Sequence, residues 1–214
     1  MVVKRHERGY VQVRITDKFV FFFTKRDYLS QWYPAQFEVK GLVFANAEQY
    51  MMACKAIIFD YSNPSAEEIK EIISTERKEA GLSDFVNGQF VKSPSGELKM
   101  GTLASIMETS DPKVAKANGK AVVNFVKSIW DVKSEPVIKS GTRAKMTQNP
   151  RLLRMFLDTK GRRLVEASPF DDLYGIGLRE HHPHAEQPDK WLGENRLGNW
   201  MTDVRDELLL HYGE

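Results

Sequence analysis

Apolar and polar positions along the chain change period several times, and each change marks an element. Phe19-Val-Phe-Phe-Phe-Thr24 is a short β-rich run that predicts a buried strand. Gln36 to Val43 alternates in part around Lys40-Gly41, which predicts a hairpin. From Asn46 the period becomes helical: Ala47, Tyr50, Met51, Cys54, Ile57 and Ile58 recur at i, i+3, i+4, i+7, with Asn46 as N-cap. Pro64 to Lys78 predicts a second, more solvated helix. Gly, Ser and Pro recur from Ala80 to Thr102, where Phe85-Val-Asn-Gly-Gln-Phe90 predicts a small hairpin inside an exposed insertion. Helical patterning returns at Asp111-Pro112 and runs, with breaks, to about Asp158. Arg163 to Ala167 predicts a strand, Ser168 to Lys190 an ordered loop, and Leu197 to His211 a last helix that buries Leu197, Trp200, Met201, Val204 and Leu208. These elements predict one helix-rich α+β domain over residues 19–214, with an insertion at 80–102, after an N-terminal extension at 1–18. Its small sheet would combine the early strands with the one near 163–167, and the last helix would pack centrally.

Composition narrows the function classes. The 214 residues carry 31 Lys+Arg and 29 Asp+Glu, a net charge of +2, which argues against a non-specific nucleic-acid coat and leaves room for a local basic patch. One cysteine, Cys54, excludes an internal disulfide framework and a cysteine-rich zinc site. The longest pure apolar run, Phe19 to Phe23, is far below a membrane span, and the charged start MVVKRHERGY has no signal-peptide character. The expectation is a soluble cytoplasmic protein, or a nuclear one in a eukaryote, without membrane contact.

Three stretches could carry chemistry. Glu48 and Lys55 are seven residues apart, two helical turns, and project to nearly the same side. Beside an apolar stripe, such a carboxylate is partly desolvated and suited to proton transfer, while the lysine could hold an anion or attack a sugar carbon. The plainer alternative is a solvated Glu/Lys face. Ser168-Pro-Phe-Asp-Asp-Leu-Tyr-Gly-Ile-Gly177 pairs Asp171 with an aromatic, Tyr174, and with Gly175, where a bare backbone allows close approach to a ligand; the alternative is an Asp-capped turn. Trp191-Leu-Gly-Glu-Asn-Arg-Leu-Gly198 leads into a helix whose first N–H groups favour an anion, and Asn195 could bond a ribose or phosphate. It lacks the Gly-Lys-Ser/Thr ending of a P-loop. Trp32, Tyr33, Tyr50, Trp130, Tyr174 and Trp191 are candidate stacking residues, although most such rings are core. His181-His182-Pro-His184 lacks a recognised metal spacing, so no metal is expected. No Gly-x-Ser-x-Gly elbow occurs.

Taken in order, these segments resemble the NADAR superfamily, which includes the YbiA-like N-glycosidases. The likeness runs through Leu29-Ser-Gln-Trp-Tyr-Pro34, Ala47-Glu-Gln-Tyr-Met-Met-Ala-x-Lys-Ala56, Ala115-Lys-Ala-x-Gly119, Trp130 and Gly141-x-x-Ala-Lys-Met-x-Gln-Asn-Pro150. It closes with Leu164-Val-Glu-Ala-Ser-Pro169, Asp171, Tyr-Gly-Ile-Gly-Leu178, Trp191 and Gly193-x-Asn-x-Leu-Gly198 before Met201-x-x-Val-Arg205, and so covers most of Phe19 to Leu210. The resemblance implies cleavage of the N-glycosidic bond between a phosphorylated ribose and an amino-bearing base. Two substrate branches follow from it: ADP-ribose attached to guanine in nucleic acid, taken here as the leading one, and phosphoribosylamino-pyrimidines of the riboflavin pathway. Glu48 matches the key carboxylate of the family; Lys55, Lys145, Asp171 and Asn195 match polar positions lining the presumed pocket. Gln49 departs from a frequent histidine, Tyr174 from a frequent tryptophan, and Cys54 from a polar residue.

The mechanism implied needs neither metal nor cofactor. Glu48 would stabilise the charge that builds on the sugar or activate water. Asp171 would orient water or a ribose hydroxyl, or protonate the leaving base. Alternatively, Lys55 would attack the anomeric carbon and form a Schiff base with the opened sugar. Partners would be a ribose-phosphate or ADP-ribose substrate and, for the leading branch, ADP-ribosylated DNA or RNA, with Lys25-Arg26, Lys139 to Lys145 and Arg151 to Arg163 as the sources of a basic rim. An alternative from another class is a sensor module that binds ADP-ribose or NAD without cleaving it.

Overall fold

The fold is α+β and helix-rich, and the computed structural model describes residues 13–61, 64–79 and 102–213. It comprises strands β1 (Arg14–Ile15), β2 (Phe19–Phe22), β3 (Phe37–Val39), β4 (Leu42–Phe44) and β5 (Arg163–Glu166). The helices are α1 (Ala47–Asp60), α2 (Ala66–Glu79), α3 (Thr102–Met107), α4 (Pro112–Gly119), α5 (Lys127–Thr147), α6 (Pro150–Leu157) and α7 (Arg196–Tyr212). Two compact units separate, one built on the chain up to Ala35 and from Ile138 onward, the other on Gln36–Val137.

In the first unit all four side chains of β2 are buried, as its unbroken apolar run requires. It lies between β1, antiparallel, and β5, parallel, with Phe19 opposite Arg163 and Phe22 opposite Glu166. Residues Arg14 and Ile15, expected in the N-terminal extension, therefore belong to the sheet. The helix α7 packs along β5 and buries Leu197, Met201, Val204 and Leu208, while Trp200 is only half-buried. Arg205, also buried, donates from Nη1 to the carbonyls of Thr159 and Arg162 and so ties α7 to the turn that enters β5.

In the second unit the Lys40-Gly41 hairpin forms as expected. Both residues have positive φ, 51° and 74°, the conformation of a two-residue turn matched to strand twist. The resulting β3–β4 ribbon is a separate sheet, so the early strands divide between two sheets instead of joining one. Asn46 caps α1 by accepting from the Gln49 amide. The first seven residues of α1 are buried on every side, because the hairpin, α3 and α4 all pack against it; beyond Ala53 only Ala56 is buried, and Cys54, Ile57 and Ile58 of the expected stripe are partly exposed. Asp111 caps α4 as its sequence predicts. α3 had no clear signal in the sequence. The small hairpin expected at Phe85–Phe90, with most of the expected insertion, lies outside the described residues.

Candidate active site

Glu48 sits in the first turn of α1 and is 3% exposed. Lys55 follows two turns later, a rise of about 10 Å that a long side chain leaning toward the helix N-terminus shortens. Its Nζ donates to the Gly119 carbonyl at 3.0 Å and lies 4.2 Å from the centre of the Phe125 ring. Desolvation lowers the Lys55 pKa below the ordinary lysine value, and the Lys120 charge lowers it further; Asp60 and Glu48 pull it back up. Lys55 is thus closer to its neutral, nucleophilic form than a solvated lysine.

The local packing explains this placement. A Cβ on Gly119 would come within 2.2 Å of the Met52 sulfur, so only glycine lets the end of α4 close on α1 and offer its carbonyl to Lys55. Asp60 accepts from the amides of Val123 and Asn124, which lays residues 119–125 along the same helix. Gln49 acts as a structural clamp. Its Oε1 accepts from the Ala45 amide, and its Nε2 is shared among the carbonyls of Ile106, Met107 and Thr109. Asp60 and Phe125, and the structural roles of Gly119 and Gln49, escaped the sequence reading because most of their partners lie tens of residues away.

Tyr50, predicted to bind substrate, belongs to an aromatic core: its ring meets Phe44 edge-on at 5.1 Å and Phe37 at 5.8 Å.

The remaining candidates lie in the other unit. Asp171 Oδ1 accepts from the amides of Leu173 and Tyr174, and its backbone oxygen from Gly177. The loop that carries Asp171 is therefore rigid, and it projects Phe170 into solvent, 81% exposed. A Cβ on Gly175 would lie 2.9 Å from the Asp171 carbonyl oxygen and 3.0 Å from that of Glu166, so the packing of the loop itself requires glycine here. Tyr174 is half-buried with its ring against Trp200 at 6.0 Å. The Trp191 indole donates to the Ala185 carbonyl, and the Arg163 guanidinium lies 4.7 Å from its ring centre.

Asn195 and Lys145 are fully enclosed. Asn195, at φ 55°, accepts from the Glu166 amide and donates to the Leu164 carbonyl, pinning the start of α7 to β5. Lys145 donates to the carbonyls of Tyr28 and Ser30, and burial pushes its pKa down to about 7. Both side chains act on the backbone. Lys145 orders the turn that presents the half-buried Trp32 and Tyr33, and its Nζ lies 5.6 Å from the Tyr33 ring centre. Tyr33 also lines a cavity of about 250 Å³ with Asn149, Arg151 and Leu152.

Part of the expected basic rim is spent elsewhere: Lys139 pairs with Asp203 at 2.8 Å, and Arg143 with Glu207. Among the described residues no group of three His, Cys, Asp or Glu side chains is arranged to hold a metal ion. No helix there is long and apolar enough to cross a membrane.

Residues 87–209 match the NADAR domain. N-glycosidase R617 of Acanthamoeba polyphaga mimivirus is 32% identical over 203 residues, covering 90% of this chain and 97% of that protein. Protein irg-1 of Caenorhabditis elegans is 28% identical over 207 residues, covering 95% and 85%. The solution structure of Escherichia coli YbiA superposes with a TM-score of 0.59 at 20% identity, over 99% of this chain and 95% of that one, and so shares the fold. The chain belongs to the NADAR domain family.

Proposed function

We propose that this protein removes ADP-ribose from ADP-ribosylated guanine in nucleic acid by hydrolysing the N-glycosidic bond. The class, a hydrolase acting on N-glycosyl bonds, is the one its mimiviral relative is named for. The observation that carries the reading is the pair on α1: a buried carboxylate, Glu48, with Lys55 two turns on, desolvated at the Gly119 carbonyl. Breaking a C–N bond at an anomeric carbon develops positive charge on the sugar, which a buried carboxylate stabilises far more than water does.

Two balanced routes use this pair. In one, Glu48 takes a proton from water, the hydroxyl bonds to the anomeric carbon as the C–N bond breaks, and the proton passes from Glu48 to the leaving nitrogen. In the other, neutral Lys55 attacks that carbon and the C–N bond breaks. The proton shed by the amine passes through Glu48 to the leaving nitrogen; the bond from the anomeric carbon to the ring oxygen then opens as the second amine proton moves to that oxygen, giving the Schiff base, and water hydrolyses it to release the sugar and neutral Lys55. The depressed Lys55 pKa favours the second route.

The test is mass-spectrometric product analysis with a guanine-ADP-ribosylated DNA oligonucleotide. Release of ADP-ribose with unmodified guanine supports the proposal. No release, with cleavage of phosphoribosylamino-pyrimidines, moves the substrate to the riboflavin branch. Tight ADP-ribose binding with no turnover on either makes the protein a sensor. Borohydride added during turnover should trap a sugar adduct on Lys55, and its absence would leave direct attack by water.

A further inference from the structure

We propose that α4 and the first turns of α5 form the surface that holds single-stranded nucleic acid flanking the modified base; this rests on the function proposed above. The charge of the chain is not spread evenly. Between Pro112 and Lys133 there are five lysines and one acid, Asp131, giving 5 − 1 = +4, whereas the whole chain carries +2. All five lysines are exposed. Lys113, Lys116 and Lys120 are spaced i, i+3, i+7, which puts them on one face of α4 and its C-cap. Lys127 and Lys133 continue the basic run on α5. The Lys127–Asp131 pair is solvent-exposed and weak enough to exchange for a phosphate.

Apolar groups interleave with this charge. Val123 is 82% exposed and Val132 72%, and Phe125, Val126 and Ile129 are each more than two-fifths exposed. Ile129 and Lys133 lie one turn apart on α5, and Val126 immediately precedes its first residue. An apolar patch of this kind marks an interaction surface, and its lysines select a polyanion. Lysines along a backbone track, with an aromatic among them, are the equipment for single-stranded nucleic acid. Apart from Phe125, the exposed apolar side chains are short and β-branched, poorly suited to insertion into a lipid bilayer.

The position of the patch links it to the chemistry. Residues 119–125 are fastened to α1 through Gly119 and Asp60, and the Lys120 charge is felt at Lys55. A strand held on this surface therefore passes beside Lys55.

The test uses the full chain and the charge-reversed pair Lys113→Glu/Lys127→Glu, two exposed positions whose change leaves the core intact. Fluorescence anisotropy with an unmodified single-stranded oligonucleotide reads affinity against salt. The pair should weaken binding at least about tenfold and flatten the slope of log K against log salt by about 1.4, roughly 0.7 per lost phosphate contact. Turnover of the ADP-ribosylated oligonucleotide should fall by a similar factor below saturation, while turnover of ADP-ribosylated guanosine stays unchanged. Unaltered oligonucleotide affinity, or equal loss on both substrates, overturns the proposal. So does binding to phosphatidylserine-containing vesicles that the pair abolishes while oligonucleotide binding persists. If the wild type turns over neither ADP-ribosylated substrate, the proposed function fails, and the anisotropy still decides the surface.

Discussion

Replacing Gly119 with alanine should damage stability and chemistry together. The added Cβ would meet Met52 Sδ at 2.2 Å, Cγ at 2.8 Å and Cβ at 3.0 Å. Met52 Sδ and Cγ both fall inside contact distance between two packed helices, so α4 must retreat, whereas the Cβ contact alone asks for a shift of only a few tenths of an ångström. Overpacking of this kind costs about 1–3 kcal/mol, and better helix propensity at an alanine returns at most about 1 kcal/mol. A net loss of about 1–2 kcal/mol is expected in urea unfolding, read as a lower midpoint at constant slope. The same retreat carries the Gly119 carbonyl away from Lys55 Nζ, a 3.0 Å contact, so turnover should fall by at least about tenfold, as for a misplaced reacting group. The double variant Gly119→Ala/Met52→Ala separates the two effects. It removes the sulfur and Cγ, lets α4 return and restores turnover, yet it leaves a cavity and remains less stable than wild type by about 2–5 kcal/mol. If Gly119→Ala matches wild type in both assays, or the double variant recovers no turnover, the packing account of Lys55 is wrong.

Other positions give independent checks. Lys145 should make stability rise with pH. Its folded pKa of about 7 lies below the unfolded value, so the unfolded chain binds more protons between the two and unfolding becomes harder as pH increases. The rise amounts to at most about 5 kcal/mol between pH 7 and 10.5, and Lys145→Met should abolish that part of it in urea titrations; an unchanged slope refutes the assignment. Gln49→Ala strands the Ala45 amide and the carbonyls of α3, and should destabilise by on the order of 3 kcal/mol; a loss below about 0.5 kcal/mol would mean that water replaces the clamp at little cost.

What could be read from the sequence was local. Asn46 and Asp111 announce their helices because a cap bonds an amide two or three residues away, and Lys40-Gly41 announces its hairpin because a two-residue turn demands positive φ. The likeness of the ordered motifs to one family reached the fold and the α1 pair. The rest depended on distant partners. Lys145 and Asn195 read as pocket-lining polar residues, yet their partners are carbonyls and an amide brought close only by the fold. Tyr50 read equally as a stacking ring or as core until the hairpin placed Phe37 and Phe44 against it. Two-residue β1 has too little pattern to announce itself, and the lysines of α4 were masked by the valines and alanines between them.

The central claim is that the Glu48 carboxylate drives cleavage of an N-glycosidic bond, and it is most directly tested by the rate of ADP-ribose release from a guanine-ADP-ribosylated oligonucleotide by wild type and Glu48→Gln. The account predicts a loss of at least about a hundredfold, the scale of one electrostatic or proton-transfer group, with unfolding midpoints that remain close. Turnover of Glu48→Gln at the wild-type rate would contradict it.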